Sequence, residues 1–179
     1  SSETLGFRLA GAQEIGEGKL GYAVSYANQK DFGSSNLDYT ADYYLLDASY
    51  AVKGFKVGLG YEVLAADEDQ SFQTPLATLH KFQGWADKFL TNRPDGMEDL
   101  YASVGYTVGD VGPLKGVKFL AVYHDFSAES SSAEYGSELD LLAAAKWKKL
   151  GFTLKYADYS ADDFSVDTQK IWLQLDYAY

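Results

Sequence analysis

The sequence has no cysteine, three prolines, two histidines and, among its fifteen basic residues, only two arginines, Arg8 and Arg93. Without cysteine, neither a disulfide framework nor a thiolate-bound metal can form, although this leaves the compartment undetermined. No stretch of about 18 consecutive apolar residues occurs, so no helix spans a membrane. No signal peptide is visible; Ser1 could follow a cleavage, or the chain could be a piece of something longer. The histidines, His80 and His124, stand in no Ser-His-Asp arrangement, and adjacent strand residues such as His124 and Asp125 point to opposite faces. Hence no enzyme is expected. A net charge of −11 excludes a general nucleic-acid surface.

What is abundant points to β-structure: 15 Tyr, 17 Gly and 16% aromatic residues in a chain of 179. The last nine residues alternate strictly, with Ile171, Leu173, Leu175, Tyr177 and Tyr179 on one face of a strand. A long amphipathic strand ending on an aromatic is how outer-membrane barrels tend to finish. The same period-2 pattern predicts nine strands, at 3–14, 18–28, 39–53, 54–66, 98–109, 115–127, 136–148, 149–160 and 168–179. Their connections alternate between short turns and longer polar loops at 28–38, 66–97, 127–135 and 160–168. Short periplasmic turns opposite long outer loops are the mark of a transmembrane barrel. The expected fold class is therefore all-β: an antiparallel transmembrane β-barrel in one domain, 1–179, with a long ordered loop at 66–97. Nine is odd, whereas bacterial single-chain barrels close on an even count. The chain should then be part of a larger barrel, completed by missing N-terminal strands or by a second copy.

One face of each strand is bulky and apolar, as in Leu20/Tyr22/Val24/Tyr26 and Phe55/Val57/Leu59/Tyr61; the other is small or charged. Periodicity cannot tell inside from outside, so a soluble lipocalin-like ligand-binding barrel with its apolar face inward is the rival reading. Charge favours the membrane, because an ionised side chain facing lipid at mid-depth costs roughly 2–4 kcal/mol. The residues assigned to a water-filled lumen are Arg8, Lys19, Lys56, Lys118, Lys146, Lys155 and Lys170, against Asp47, Glu62, Asp140 and Asp176. A mildly cationic lumen below acidic outer loops would admit anions.

The segment from Thr74 to Leu90 carries Leu79, Phe82, Ala86, Phe89 and Leu90 near helical spacing. Loops this long are functional or disordered, and its aromatics argue for order. Folded into the lumen it would bring His80, Lys81, Trp85, Lys88 or Arg93 to a constriction; packed on the rim it would not. Thr74–Leu90, with Gly60–Leu64, Glu98–Ser103, Tyr123–Phe126 and Tyr135–Glu138, resembles the C-terminal part of the alginate export family of proteobacteria. That resemblance implies a single-chain outer-membrane barrel of about eighteen strands that exports an anionic polysaccharide through an arginine-rich conduit. With two arginines this chain departs from it, since Lys lacks the bidentate carboxylate geometry of Arg.

No cofactor or metal is expected: the acidic group Asp158, Asp162, Asp163 and Asp167 lacks a calcium-loop spacing. The expected function is a porin of the bacterial outer membrane for small or polymeric anionic solutes such as acidic saccharides, with lipid or lipopolysaccharide around it. A non-conducting surface anchor or adhesin barrel is the other alternative.

Overall fold

The computed structural model describes residues 1–34, 38–67, 70–74 and 82–178. Nine long strands form one antiparallel sheet: β1 (Ser2–Ile15), β2 (Gly18–Asp31), β3 (Thr40–Val52), β4 (Phe55–Leu64), β7 (Met97–Val111), β8 (Leu114–Ser127), β9 (Glu134–Trp147), β10 (Leu150–Ala161) and β11 (Thr168–Tyr177). Each pairs with the next in chain order, and β1 and β11 are the two edges. A two-residue hairpin, β5 (Ala66–Asp67) and β6 (Gln70–Ser71), stands apart within the long loop.

The turns explain the meander. At Lys53–Gly54 both central residues have positive φ, 48° and 88°, which matches the type I′ hairpin whose twist suits the flanking strands. Every turn at this end is short, and every loop at the other end is longer.

Register fixes the faces. Leu9, Val24, Leu46, Tyr61 and Leu100 lie side by side across β1–β7, as do Tyr106, Phe119, Ala143, Leu154 and Leu173 across β7–β11. These side chains are uncovered: Leu46 keeps 55% of its surface exposed and Leu59 keeps 59%. A sheet built as a soluble lipocalin-like barrel would enclose that face, so the inward-apolar reading is corrected here. Apolar surface on this scale marks a membrane or partner surface.

The dry core lies on the opposite, polar face near the long loops. Trp85, Ala86 and Phe89 of the long loop pack there with Leu64, Met97, Phe126, Tyr135 and Tyr159 of the wall. Phe89 sits 4.7 Å from the Phe126 ring and 5.5 Å from the Phe164 ring, centroid to centroid. The helical spacing read from 74–90 is not realised in residues 82–90, which form bends and turns. Gln83, Gly84 and Asp87 have φ of 62°, 74° and 58°, and left-handed residues at this frequency break a right-handed helix.

If hydrocarbon meets the Leu59 face, Leu59→Arg should lower folding stability in lipid vesicles by about 2–4 kcal/mol. A denaturant titration of the refolded barrel measures it; a neutral outcome would mean that this face meets water.

Candidate functional site

Strand parity gathers a group of ionisable side chains on the polar face. The apolar residues Leu139, Leu141 and Ala143 turn one side of β9 outward, which turns Glu138 and Asp140 to the polar side. Asp99 on β7, His124 on β8 and Glu62 on β4 arrive there by the same alternation. Asp99, Glu138 and Asp140 are completely buried, and Glu62 and His124 nearly so. His124 stands diagonally between two carboxylates: Nδ1 lies 2.9 Å from Asp99 Oδ1, and Nε2 lies 3.9 Å from Asp140 Oδ2. Its ring stacks on Phe126 at 5.4 Å and 10°.

What buries this group is the long loop. The Glu138 carboxylate accepts two backbone N–H bonds at Oε1, from Trp85 at 2.5 Å and from Ala86 at 2.7 Å. Gly84 next to them is required by close approach, since a Cβ there would press into the Glu138 carboxylate. Further ties fix the loop: Lys170 Nζ meets Asp87 Oδ2 at 3.0 Å, and Lys88 Nζ donates to Ser165 Oγ at 3.1 Å and to the Val166 carbonyl at 3.0 Å. Lys155 places its ammonium 5.0 Å above the Trp85 ring, a cation–π contact. Arg93 lies over Phe164, 4.3 Å from the ring centre. Thus Trp85, Lys88 and Arg93 of the proposed constriction set are brought to the polar face or its rim. His80 and Lys81 lie outside the described residues.

The wall residues divide by height. At mid-wall Arg8 Nη1 donates to Ser25 Oγ at 2.9 Å and Tyr101 donates to Asp47 at 2.8 Å, and nearer the long loops Tyr43 donates to Glu62 at 2.8 Å. Tyr101 reaches Asp47 by lying across Gly60, where a side chain would collide with its ring. Towards the short turns stand Lys19, Lys56, Lys118 and Lys146, all exposed. Lys19 has Glu14 4.0 Å away, and Asp176 accepts from Gln174 at 3.0 Å. All eleven residues assigned to the lumen share the polar face. Asp99 and Glu138 belong with them and are missing from the sequence-based set. Their parity was readable from Leu100/Ala102 and Leu139/Leu141; the loop amides that Glu138 holds were not.

Removing the Glu138 carboxylate strands two buried N–H groups, which costs about 1–3 kcal/mol each. Glu138→Ala should therefore speed amide exchange at Trp85 and Ala86 while β8 and β9 stay protected. Unchanged exchange at those two amides would show that the loop is held by other contacts.

No protein-family model matches the sequence, and neither does any curated protein. Solved structures do. The fold is similar to Pseudomonas aeruginosa OccK5 (OpdH), with TM-score 0.75, 17% identity, 98% of this chain and 50% of that one covered. For OccK8 (OprE) of the same organism the values are 0.71, 19%, 98% and 50%, and for Acinetobacter baumannii OccAB4 they are 0.68, 17%, 98% and 46%. These relatives overturn the resemblance to the alginate export family: the fold points to Occ barrels instead. The segments that suggested it are the long loop and the wall it sits on, an arrangement open to any barrel that narrows its own lumen. The chain spans about half the length of the structures it matches, and its nine antiparallel strands match half of those β-barrels. On that fold, a continuous uncovered apolar face is the pattern of a membrane-spanning β-barrel wall.

Proposed function

We propose that this chain forms one half of an outer-membrane porin for small anionic solutes, with the polar face lining the lumen and the loop around Trp85 narrowing it. The observation that carries this reading is the loop itself: it is tied by Glu138, Lys170 and Lys88 onto the one face that stays polar. A loop pinned across a barrel wall restricts what passes without blocking the remainder of the lumen.

The pore-lining roles follow from height. Lys19, Lys56, Lys118 and Lys146 meet water without a tight ion pair and attract anions by field focusing in a narrow, low-dielectric channel. Lys155 and Lys170 are engaged by the loop and position it. Asp47 and Glu62 are held by tyrosines of the wall, Asp140 lies buried 3.9 Å from His124, and Asp176 tempers the basic end. A polymeric saccharide fits poorly here, because a long polyanion needs an unbroken basic track. The carboxylates at mid-wall interrupt one.

Closure needs strands from elsewhere. β1 and β11 run in the same direction, being first and ninth of an antiparallel series. A second copy rotated about the barrel axis would create two parallel seams, whereas nine further strands of one longer chain would keep every pairing antiparallel. The second arrangement agrees with single-chain outer-membrane barrels.

In planar bilayers the closed barrel should give steady conductance steps with a modest anion preference by reversal potential. Lys56→Glu with Lys118→Glu should move that potential towards cation preference at low salt and much less at high salt. Absence of conductance, or cation selectivity in the unaltered pore, would contradict the reading.

A further inference from the structure

At the short-turn end of the polar face the sheet contains a bay of about 770 Å³, floored by Ala144, Gly151 and Thr153. Small residues on two neighbouring strands, Ala144 of β9 paired with Thr153 of β10 and Gly151 beside it, leave the wall hollow there, with Lys118 of β8 next to Ala144. Lysines surround the hollow: Lys115, Lys118, Lys146, Lys148 and Lys149.

Two of them reach it through a defect in the sheet. Lys115 and Lys118 are three residues apart, so an unbroken strand would send them to opposite faces. The register between β8 and β9 instead slips between these residues, pairing Lys115 with Lys146 and Lys118 with Ala144. The extra residue is accommodated at Gly116, whose φ is +59°. Asp110 pins the bulge: its carboxylate accepts from the Gly116 N–H at 3.1 Å and from Lys115 Nζ at 2.8 Å. Bulges of this kind re-aim side chains beside functional sites. Lys118 and Lys146 are exposed and make no ion pair among the described residues. Asp176 is the carboxylate that faces the bay.

We infer that this bay is a binding station for phosphate groups at the periplasmic end of the pore. The inference rests on the porin reading above and adds to it a ligand chemistry and a side of the membrane. Lys118 and Lys146, exposed and in no ion pair among the described residues, line the hollow with Lys149, while Lys115 is held by Asp110 and Lys148 lies over Trp147; such point charges suit a compact multiply charged anion. Planar bidentate recognition of a carboxylate would call for arginine, and the bay holds none. The Thr153 hydroxyl on the floor supplies a neutral donor to a phosphoryl oxygen.

The test uses the closed pore in planar bilayers, with inorganic pyrophosphate as probe and citrate as the carboxylate of similar charge, each at fixed ionic strength. Pyrophosphate added on the short-turn side should block the chloride current at lower concentration than when added on the long-loop side. It should also block more strongly than citrate. Lys118→Ala with Lys146→Ala should weaken the short-turn-side block by about five- to tenfold. Asp176→Asn, a milder change on the same wall, should strengthen it. Equal block from both sides, a preference for citrate, or insensitivity to both sets of substitutions would overturn the assignment. Because chloride conductance is recorded before any probe is added, loss of the phosphate station is distinguishable from failure of the porin reading.

Discussion

A backbone N–H or C=O left unpaired in hydrocarbon costs several kcal/mol, and that penalty governs the whole molecule. It demands that every strand be paired on both sides, so an open nine-stranded sheet with uncovered apolar flanks cannot be the finished object. On the proposed reading, the alternation of side chains then separates solvents across a single layer, with hydrocarbon on the Leu46/Leu59 side and water on the Lys56/Lys118 side. No conventional interior separates the two. The packed core that does exist is made by a loop laid against the wet wall.

That loop reverses the usual relation between charge and burial. Glu138, Asp99 and Asp140 are buried although they sit on the polar face, because Trp85, Ala86 and Phe89 cover them. Burial of carboxylates is costly unless donors meet them, and Asp140, whose oxygens have no hydrogen-bond partner among the described residues, has only His124 Nε2 at 3.9 Å. Glu138 receives two amides and Asp99 receives the His124 ring. Specificity of loop placement therefore comes from a few directional bonds, while Phe89, Phe126 and Phe164 supply the apolar contact beneath it. Below the loop the lysines of the lower wall stay in water. The basic character of the polar face is thus concentrated at the short-turn end.

Most of this fold was legible from periodicity. The nine strands fall within about three residues of their expected limits, and the alternation of short turns with long loops survives intact. Faces were legible too, because Leu/Tyr/Val runs such as Val57–Tyr61 mark them without ambiguity. Three things were not. A helix-like spacing in the loop gave no warning of the positive φ at Gln83, Gly84 and Asp87, which depends on Glu138 more than fifty residues away. His124 looked isolated beside Asp125, whereas its real partner Asp99 comes from the neighbouring strand and needs register to find. The parity of Lys118 depended on a bulge set by Asp110 and Gly116. Family assignment failed for a related reason: short segments around a shared architectural device resemble more than one kind of barrel.

The central claim is that lipid and water lie on opposite sides of one sheet, and it can be read residue by residue. The sequence has no cysteine, so single cysteines carrying a nitroxide label can be placed at each position from Phe55 to Leu59 of the closed barrel in bilayers. Collisions with oxygen, which concentrates in hydrocarbon, should peak at positions 55, 57 and 59, and collisions with a water-soluble nickel complex at 56 and 58. The opposite phase, or nickel access at every position, would contradict the account.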